Sequence, residues 1–429
     1  MRVRGEGFRW AVVVAALSIA SVPLWRGTAG TVELSHARKA AYSDNVEADI
    51  DWLRDLSERR PQNAEFAFLL AVAHRRLGAT VQARDVLNRA AELGWDQKDV
   101  LTQTHMLDLQ SGRFGQAEPH LREMLRQGCA DILAAQIYES FVKAYLSDMR
   151  LMEASLTLDY WLQWQPNSVP AHALRADVLF AARDTKRLED EYQQTLKLAP
   201  KNDVIRLRLA YLLLDNKDVA GALLHFDAIA TQRMRSDARV GWAACQRQLG
   251  NLPQAKAALE ESLNDDGLSP EQRGFVLAEM AQILLGEKAN VDAKERFLES
   301  LALAPGNPTT HYGLGLVLSR LGEKDEAEKQ LQISRELEAK IERLADVVKE
   351  IAQYPDDPSL RCEAGEILLD AGRKDDAYMW LLSALRLERW YARAHLALAR
   401  YYAESGREDM HTQHLAWAAQ SQHVQGPAE

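Results

Sequence analysis

The sequence predicts an all-α protein built as an array of repeated helix pairs. Small residues recur at a near-constant interval through most of the chain. Alanine, leucine, arginine and glutamate, which favour helices, are abundant. We find no stretch in which Val, Ile and Thr alternate with polar residues, the pattern of a half-buried strand. A chain of 429 residues is long for one ordinary core, and an array extends its core in one direction instead.

The repeat unit is clearest between residues 293 and 331. With Pro308 as its first residue, Gly315 falls at the eighth place, Gly322 at the fifteenth and Ala327 at the twentieth. Two helices approach closely only where neither carries a bulky side chain, which explains the eighth and twentieth places. Glycine at the fifteenth place suits a tight left-handed turn between the helices.

Ten such units follow one another after residue 63. They begin near Ala64, Lys98, Ala135, Val169, Asp203, Ser236, Gly274, Pro308, Pro358 and Ala392. Three of them depart from the pattern. His105 and Val142 occupy eighth places, and the unit from Val169 has Arg183 and Leu188 where Gly and Ala belong. We expect these units to be distorted or shifted.

This pattern resembles the tetratricopeptide repeat family, whose unit is about 34 residues long. The resemblance covers nearly everything after residue 63. It implies a right-handed α-solenoid of about ten helix pairs. Because an apolar segment precedes the array, the chain resembles the bacterial members that carry an N-terminal membrane anchor.

The N-terminus predicts a signal-anchor helix. Arg2, Arg4 and Arg9 precede an uncharged apolar run over residues 10–25, and Arg26 closes it. The basic cluster should stay in the cytoplasm, which predicts a single-pass membrane protein with the array outside, in the periplasm if the source is bacterial. The alternative is a cleaved signal peptide and a secreted or periplasmic protein.

The predicted organisation has six segments. They are a signal anchor or signal peptide (1–30), a degenerate N-terminal capping repeat (31–63), an array of about eight repeats (64–340), a helical extension (341–357), a C-terminal repeat pair (358–420) and a disordered tail (421–429).

The extension follows from one irregular step of 50 residues between units. The second helix of the unit from Pro308 should continue to about Gln353. Its apolar residues recur at alternating spacings of four and three: Leu337, Ile341, Leu344, Val348 and Ile351. Either this seam packs against the following unit as a strut, or it forms a homodimer through residues 337–351.

We find no motif of a known catalytic or cofactor site, so the sequence predicts a protein that is not an enzyme, with no cofactor and no metal. His411 and His414, with His395, are the best metal candidates, but they lack further ligands nearby in sequence. Three scattered cysteines give no disulfide framework. A net charge of −10 argues against nucleic acid as a partner.

The remaining candidate is the surface formed by the first helices of the units. In the family these helices line the concave groove that meets a partner. Mapped onto this sequence, the groove candidates are Leu207, Tyr211, Val240, Arg247, Gln282, Tyr312, Leu316 and Arg320.

The predicted function is a membrane-tethered scaffold that binds a partner protein or peptide in this groove. The alternative is a non-catalytic specificity or assembly subunit of an envelope enzyme, or of a cytochrome-maturation or secretion complex.

Overall fold

The computed structural model describes residues 28–43, 46–229, 232–265 and 267–424. These residues form 22 α-helices and no β-strand. The helices are α1 (Thr28–Ala41), α2 (Val46–Arg59), α3 (Ala64–Arg76), α4 (Thr80–Glu92), α5 (Gln97–Gln110), α6 (Ala117–Gln127), α7 (Asp131–Ser147), α8 (Leu151–Trp164), α9 (Val169–Ala181), α10 (Thr185–Leu198), α11 (Asp203–Asp215), α12 (Val219–Asp227), α13 (Gln232–Gln248), α14 (Leu252–Leu263), α15 (Pro270–Gly286), α16 (Asn290–Leu303), α17 (Pro308–Leu321), α18 (Lys324–Gln353), α19 (Pro358–Asp370), α20 (Lys374–Leu387), α21 (Ala392–Glu404) and α22 (Glu408–Val424).

Consecutive helices pair throughout the described residues. From α3 onward, each odd-numbered helix packs against the even-numbered helix that follows it. These ten pairs coincide with the ten units read from the sequence, and α1 with α2 forms a further pair before them. The prediction of an all-helical array of paired helices is therefore confirmed.

The small residues lie where paired helices cross. A Cβ on Gly315 would lie 2.7 Å from Cγ of Leu331, and one on Gly365 would lie 2.6 Å from Cγ of Leu381. The twentieth-place Ala293 is fully buried, as is the eighth-place Ala281. The paired helices can therefore approach closely only because these places carry no side chain larger than a methyl group.

The fifteenth place has a positive φ in all ten units. Glycine holds it in six of them: Gly78, Gly112, Gly250, Gly322, Gly372 and Gly406. Larger residues hold it in the other four: Met149, Arg183, Lys217 and Lys288. The distortion expected around Arg183 is not found, because Arg183 itself adopts the left-handed turn with φ 58°.

We expect Lys217→Gly and Lys288→Gly to stabilise the protein. Both lysine side chains are exposed, and the backbone of both residues has a positive φ. This backbone conformation costs a residue other than glycine about 1 kcal/mol. The net gain should be about 0.5 kcal/mol each, since glycine also loses more entropy on folding. Urea denaturation would measure it. The control Lys197→Gly, within α10, should instead lose about 1 kcal/mol, and equal effects at the three positions would contradict this account.

The fourth place of several units holds a side chain that joins neighbouring helices. Histidine there bonds the carbonyl six residues earlier, at the end of the preceding helix, and a side chain 19 residues later, on the second helix of its own unit. The three sets are His172 with Pro166 and Glu191, His311 with Pro305 and Gln330, and His395 with Arg389 and His414.

Helix α18 runs unbroken to Gln353, as the irregular step predicts. Leu344, Val348 and Ile351 are buried in a cluster with Ile367 of α19 and Trp380 of α20. This is the strut arrangement. The seam considered for a homodimer is thus occupied by the same chain.

The described chain divides into two compact units, one up to Trp95 and one from Asp96 onward. The first unit has its own core, in which Ala37, Leu53 and Leu69 are buried. The boundary falls within the segment 64–340 that the sequence predicts as one array.

The second unit closes on itself through a contact that the sequence does not predict. Arg361 of α19 donates from Nη1 to the carbonyl of Asp148 at 2.7 Å. Arg386 of α20 donates from Nη1 to the carbonyl of Ser147 at 2.9 Å and to Oδ1 of Asp148 at 2.7 Å. Met149 is buried in the same cluster as Val348 and Trp380. We call this joining of the α7–α8 turn to α19 and α20 the closure contact.

The predicted membrane location requires correction. None of the helices described here combines the length and the apolar character needed to cross a bilayer, so a single-pass membrane protein is not supported. The apolar run at residues 10–25 lies outside the described residues.

Candidate protein-interaction surfaces

Two of the predicted groove residues lie in α11 and pack within the chain. Leu207 is half-buried against the cluster formed by α9–α13. The hydroxyl of Tyr211 donates to the carbonyl of Asp237 at 2.6 Å, and its ring meets Phe226 edge-on with centroids 5.1 Å apart. Burial raises the pKa of Tyr211. Both side chains therefore already contact neighbouring helices.

Three further candidates in α13 and α15 also have partners. Val240 packs against the core between α13, α14 and α15. Arg247 donates from Nε to Oε2 of Glu279 at 2.8 Å, which joins α13 to α15. The side chain of Gln282 lies beside Gly313, because a Cβ on Gly313 would be only 2.9 Å from Nε2 of Gln282.

Two of the three candidates in α17 are exposed, whereas the third, Leu316, is half-buried against the core between α15, α16 and α17. Tyr312 is 50% exposed. Leu316 and Arg320 follow at intervals of four, so the three share one face of the helix. Arg320 also donates from Nη1 to the carbonyl of Leu285 at 2.9 Å. We call Tyr312, Leu316 and Arg320 the α17 face.

Helix α8 carries a larger apolar surface that the sequence reasoning missed. Its outward side exposes Met152, Leu156, Tyr160 and Trp164, between 40% and 64% each. Their spacing of four places them in one row along the helix. We call these four residues the α8 row. The spacing of four is present in the sequence, but the family resemblance predicts contacts from first helices, whereas α8 is a second helix.

The corresponding places of other second helices are different. Counted from the twentieth place, the α8 row aligns with Lys186, Asp190, Gln194 and Leu198 in α10, and with Val291, Glu295, Glu299 and Leu303 in α16. Charged or amide side chains interrupt both rows. The continuous apolar row is therefore particular to α8 among these helices and does not follow from the repeat itself.

A cavity of about 840 Å³ lies in the second unit. Its walls come from α15, α18 and α21 and from the α16–α17 and α19–α20 turns. At the two turns, backbones touch: a Cβ on Gly306 would lie 2.4 Å from the carbonyl carbon of Ala371. A smaller cavity of about 410 Å³ adjoins it and shares Glu271 and residues 372–374.

Two of the three histidines considered as metal ligands form a buried pair. Nδ1 of His395 lies 3.1 Å from Nδ1 of His414. Nε2 of His395 lies 3.0 Å from the carbonyl of Arg389, so this nitrogen carries the proton and Nδ1 accepts from His414. His411 turns away and bonds the carbonyl of Ala399 at 2.9 Å. Within the described residues no group of three or more His, Cys, Asp or Glu side chains could hold a metal ion.

The histidine pair predicts a loss of stability in acid. Burial and the facing His395 lower the pKa of His414 to about 4, from 6.5. Between these two values the unfolded chain binds more protons than the folded one, so the stabilisation is complete above pH 6.5 and falls as the pH drops toward 4. Unfolding midpoints at pH 7 and pH 5 would measure the fall.

The matched variant for this prediction is His414→Gln, which copies the pairing of His311 with Gln330 in an earlier unit. It should lose less stability than the wild-type chain between pH 7 and pH 5. Identical losses of stability in the variant and the wild-type chain would show that the histidine pair does not cause the pH dependence of stability.

The cysteines show no sign of reactivity. Burial is the main cause that raises the pKa of Cys362 to about 12 and that of Cys245 to about 11. Burial likewise raises the pKa of Cys129. All three thiols are therefore protonated at neutral pH and are poor nucleophiles.

Comparison with known proteins supports the family resemblance. The sequence model of the tetratricopeptide repeat family matches residues 47–98, which span α2 to the start of α5. None of the curated proteins compared with the chain is similar to it in sequence.

Several solved structures are similar to the chain at a low level. PilF of Pseudomonas aeruginosa is 22% identical over 46% of this chain and 89% of its own, with a TM-score of 0.37. PilW, described as a type IV pilus biogenesis factor, is 16% identical over 46% of this chain and 90% of its own, with a TM-score of 0.39. Human IFIT1, solved as a dimer with PPP-AAAA, is 16% identical over 86% of this chain and 94% of its own, with a TM-score of 0.37. Scores at this level assign no function to the chain.

Proposed function

We propose that the chain is a non-catalytic scaffold that binds a partner protein. The observation that carries this proposal is the α8 row, four large apolar side chains held in line on the surface of one helix. Contiguous exposed apolar surface of this kind is typical of protein interaction sites. The match to the tetratricopeptide repeat family supports the same function, because that family is generally one of interaction scaffolds.

The α17 face is proposed as a second contact with the partner. Tyr312 presents an aromatic ring, and Arg320 lies two helical turns further along the same face. Tyrosine and arginine are enriched at the energetic centres of interfaces. The other predicted groove residues would contribute by holding α11 against α13, and α13 against α15, which in turn contacts α17. These residues are Leu207, Tyr211, Val240, Arg247 and Gln282.

Photo-crosslinking from defined positions tests the proposal. A benzophenone side chain would replace Tyr160 of the α8 row, Tyr312 of the α17 face or, as the control, Tyr354. Tyr354 is an exposed tyrosine outside both surfaces. We expect one partner, identified by mass spectrometry, to be attached from Tyr160 and Tyr312 and not from Tyr354.

The pattern of adducts separates the two surfaces. Attachment from Tyr160 alone would place the partner on the α8 row and remove the α17 face from the proposal. Equal attachment from all three positions, or none from Tyr160 and Tyr312 in the native cell, would contradict the scaffold function.

A further inference from the structure

The α8 row is narrow and straight. On one side along the helix it borders the polar residues Ser155, Asp159 and Gln163. On the other side Thr157 and Trp161 are buried. The row is therefore one side chain wide, and three steps of four residues make it about 18 Å long. A rod-shaped element can contact such a surface along its whole length, whereas a broad flat face cannot.

The row itself carries no charge, and both carboxylates of α8 are already paired. Oδ1 of Asp159 accepts from Nη2 of Arg175 at 2.8 Å, and Oε1 of Glu153 accepts from Nε of Arg150 at 2.7 Å. A charged side chain placed on the row would lose water and find no counter-charge there. The surface that covers the row must therefore be apolar as well.

The row offers few groups for hydrogen bonding. It lies within α8, where the backbone N–H and C=O groups bond one another. Among its side chains only the hydroxyl of Tyr160 and the indole N–H of Trp164 are polar. An extended segment pressed against the row would leave its own backbone groups dehydrated and unpaired, which opposes binding. An α-helix bonds its backbone groups internally, so the element that suits the row is helical.

The exposed area of the row indicates a single helix rather than a second copy of the chain. A large side chain buries roughly 200 Å², and the four of the row are between 40% and 64% exposed. The row therefore presents about 400 Å² of surface. Each partner in a stable protein–protein interface contributes about 800 Å². The row alone is about half of what a stable dimer needs, which suits one helix of a partner that has further contacts elsewhere.

Aromatic packing holds one end of the row in place. The rings of Tyr138 and Trp164 lie with their centroids 6.0 Å apart, and Tyr138 also stacks on the buried Trp161 at 6.0 Å. Because Trp164 is already packed in this way, it loses little further freedom when a partner binds.

We propose that the α8 row binds one amphipathic α-helix of the partner protein, in which apolar residues recur at spacings of three and four. The apolar stripe of that helix packs along the row, and its polar side faces the solvent. This inference rests on the proposed scaffold function, because it gives the kind of element through which the partner contacts α8.

Fluorescence anisotropy with three synthetic peptides tests the inference. Each is a fluorescein-labelled peptide of about 18 residues, long enough for a helix that covers the row, and each has no net charge. The first contains leucine, alanine, glutamate and lysine, with the leucines at alternating spacings of three and four. The second has the same composition with the leucines at every second position, as in a strand. The third is the first sequence with two central prolines, which break the helix.

We expect the first peptide to bind saturably to the full chain and the other two to bind at least about tenfold more weakly. Binding of the first peptide should not weaken with added salt, because the row is uncharged.

Variants assign the binding to the row. The double change Leu156→Ala with Tyr160→Ala removes the two central side chains and should lower the affinity for the first peptide about tenfold. The control is Val291→Ala with Leu298→Ala, which removes side chains of α16 that are 70% and 48% exposed. The control should leave the affinity unchanged. Both double variants should unfold at the wild-type midpoint, since all four side chains are exposed.

Three results would each overturn the helix assignment: equal binding of the three peptides, equal affinity in the two double variants, or no saturable binding. Sedimentation velocity without peptide should give the same oligomeric state for the wild-type chain and the α8 double variant. A dimer that only the wild-type chain forms would show that a second copy covers the row, and would also overturn the assignment. Partner adducts from Tyr160 would still support the scaffold function if the peptides fail to bind, so the two proposals can fail separately.

Discussion

Gly306→Ala is expected to destabilise the second unit. We expect a larger effect than for Gly→Ala at any other glycine of this unit that has a negative φ. The new Cβ would lie 2.4 Å from the carbonyl carbon of Ala371, 2.6 Å from the nitrogen of Gly372 and 2.7 Å from the carbonyl oxygen of Asp370. All three atoms belong to backbone, so no rotamer change can relieve the overlap. We expect a loss of about 3 kcal/mol in the free energy of unfolding, measured by urea denaturation.

The control is Gly286→Ala, at the end of α15, where a Cβ would meet no atom within 4 Å. It should be neutral or slightly stabilising, because alanine loses less entropy on folding than glycine. A neutral Gly306→Ala would show that the α16–α17 and α19–α20 turns do not touch in solution. Hydrogen exchange at residues 370–373 would then also be fast in the wild-type chain.

Arg361→Met is the second change with a large expected effect. Arg361 is only 3% exposed, and its guanidinium donates to the carbonyls of Asp148 and Pro355 at 2.7 and 2.9 Å. Methionine keeps much of the volume but leaves these buried carbonyls without their charged donor. We expect a loss of about 3 kcal/mol, with faster hydrogen exchange in the α7–α8 turn.

Two arginines provide graded controls for this change. Arg386 takes part in the same closure contact but is about a third exposed, so Arg386→Met should cost less, about 1 kcal/mol. Arg54 is paired with Asp51 on the surface of α2, and Arg54→Met should cost under about 0.5 kcal/mol of stability. Equal costs at all three positions would mean that burial in the closure contact does not set the effect.

Local features of the fold could be predicted because they depend on residues close in sequence. The crossing of α17 with α18 depends on Gly315, and the turn between them on Gly322, both within one unit of the pattern. At Arg183 the same turn forms without glycine, with φ 58°. Repetition made each of these places recognisable.

The closure contact could not be predicted, because it joins residues more than 200 positions apart. Arg361 holds the fourth place of its unit, which accounts for its bond to Pro355 six residues earlier. Nothing near it in sequence points to its other partner, Asp148, which lies in a turn that resembles the others. For a related reason, the sequence could not distinguish the groove candidates that are exposed from those that pack within the chain. Tyr211 has the residue type expected of an interface, but its hydroxyl donates to Asp237 in α13, the first helix of the following unit. This contact depends on helix packing rather than on sequence spacing.

Helices α19 and α20 return to the α7–α8 turn of the same chain. Carbodiimide crosslinking of the Arg386→Lys variant tests this closure directly. In the wild-type chain Nη1 of Arg386 lies 2.7 Å from Oδ1 of Asp148, so the change places an amine near the Asp148 carboxylate. Lys340 and Asp370, also 2.7 Å apart, provide an internal control in the same sample. We predict that the monomer will carry an intramolecular link between positions 148 and 386 alongside the control link. Formation of the control link without the link between 148 and 386 would contradict the closure of the second unit.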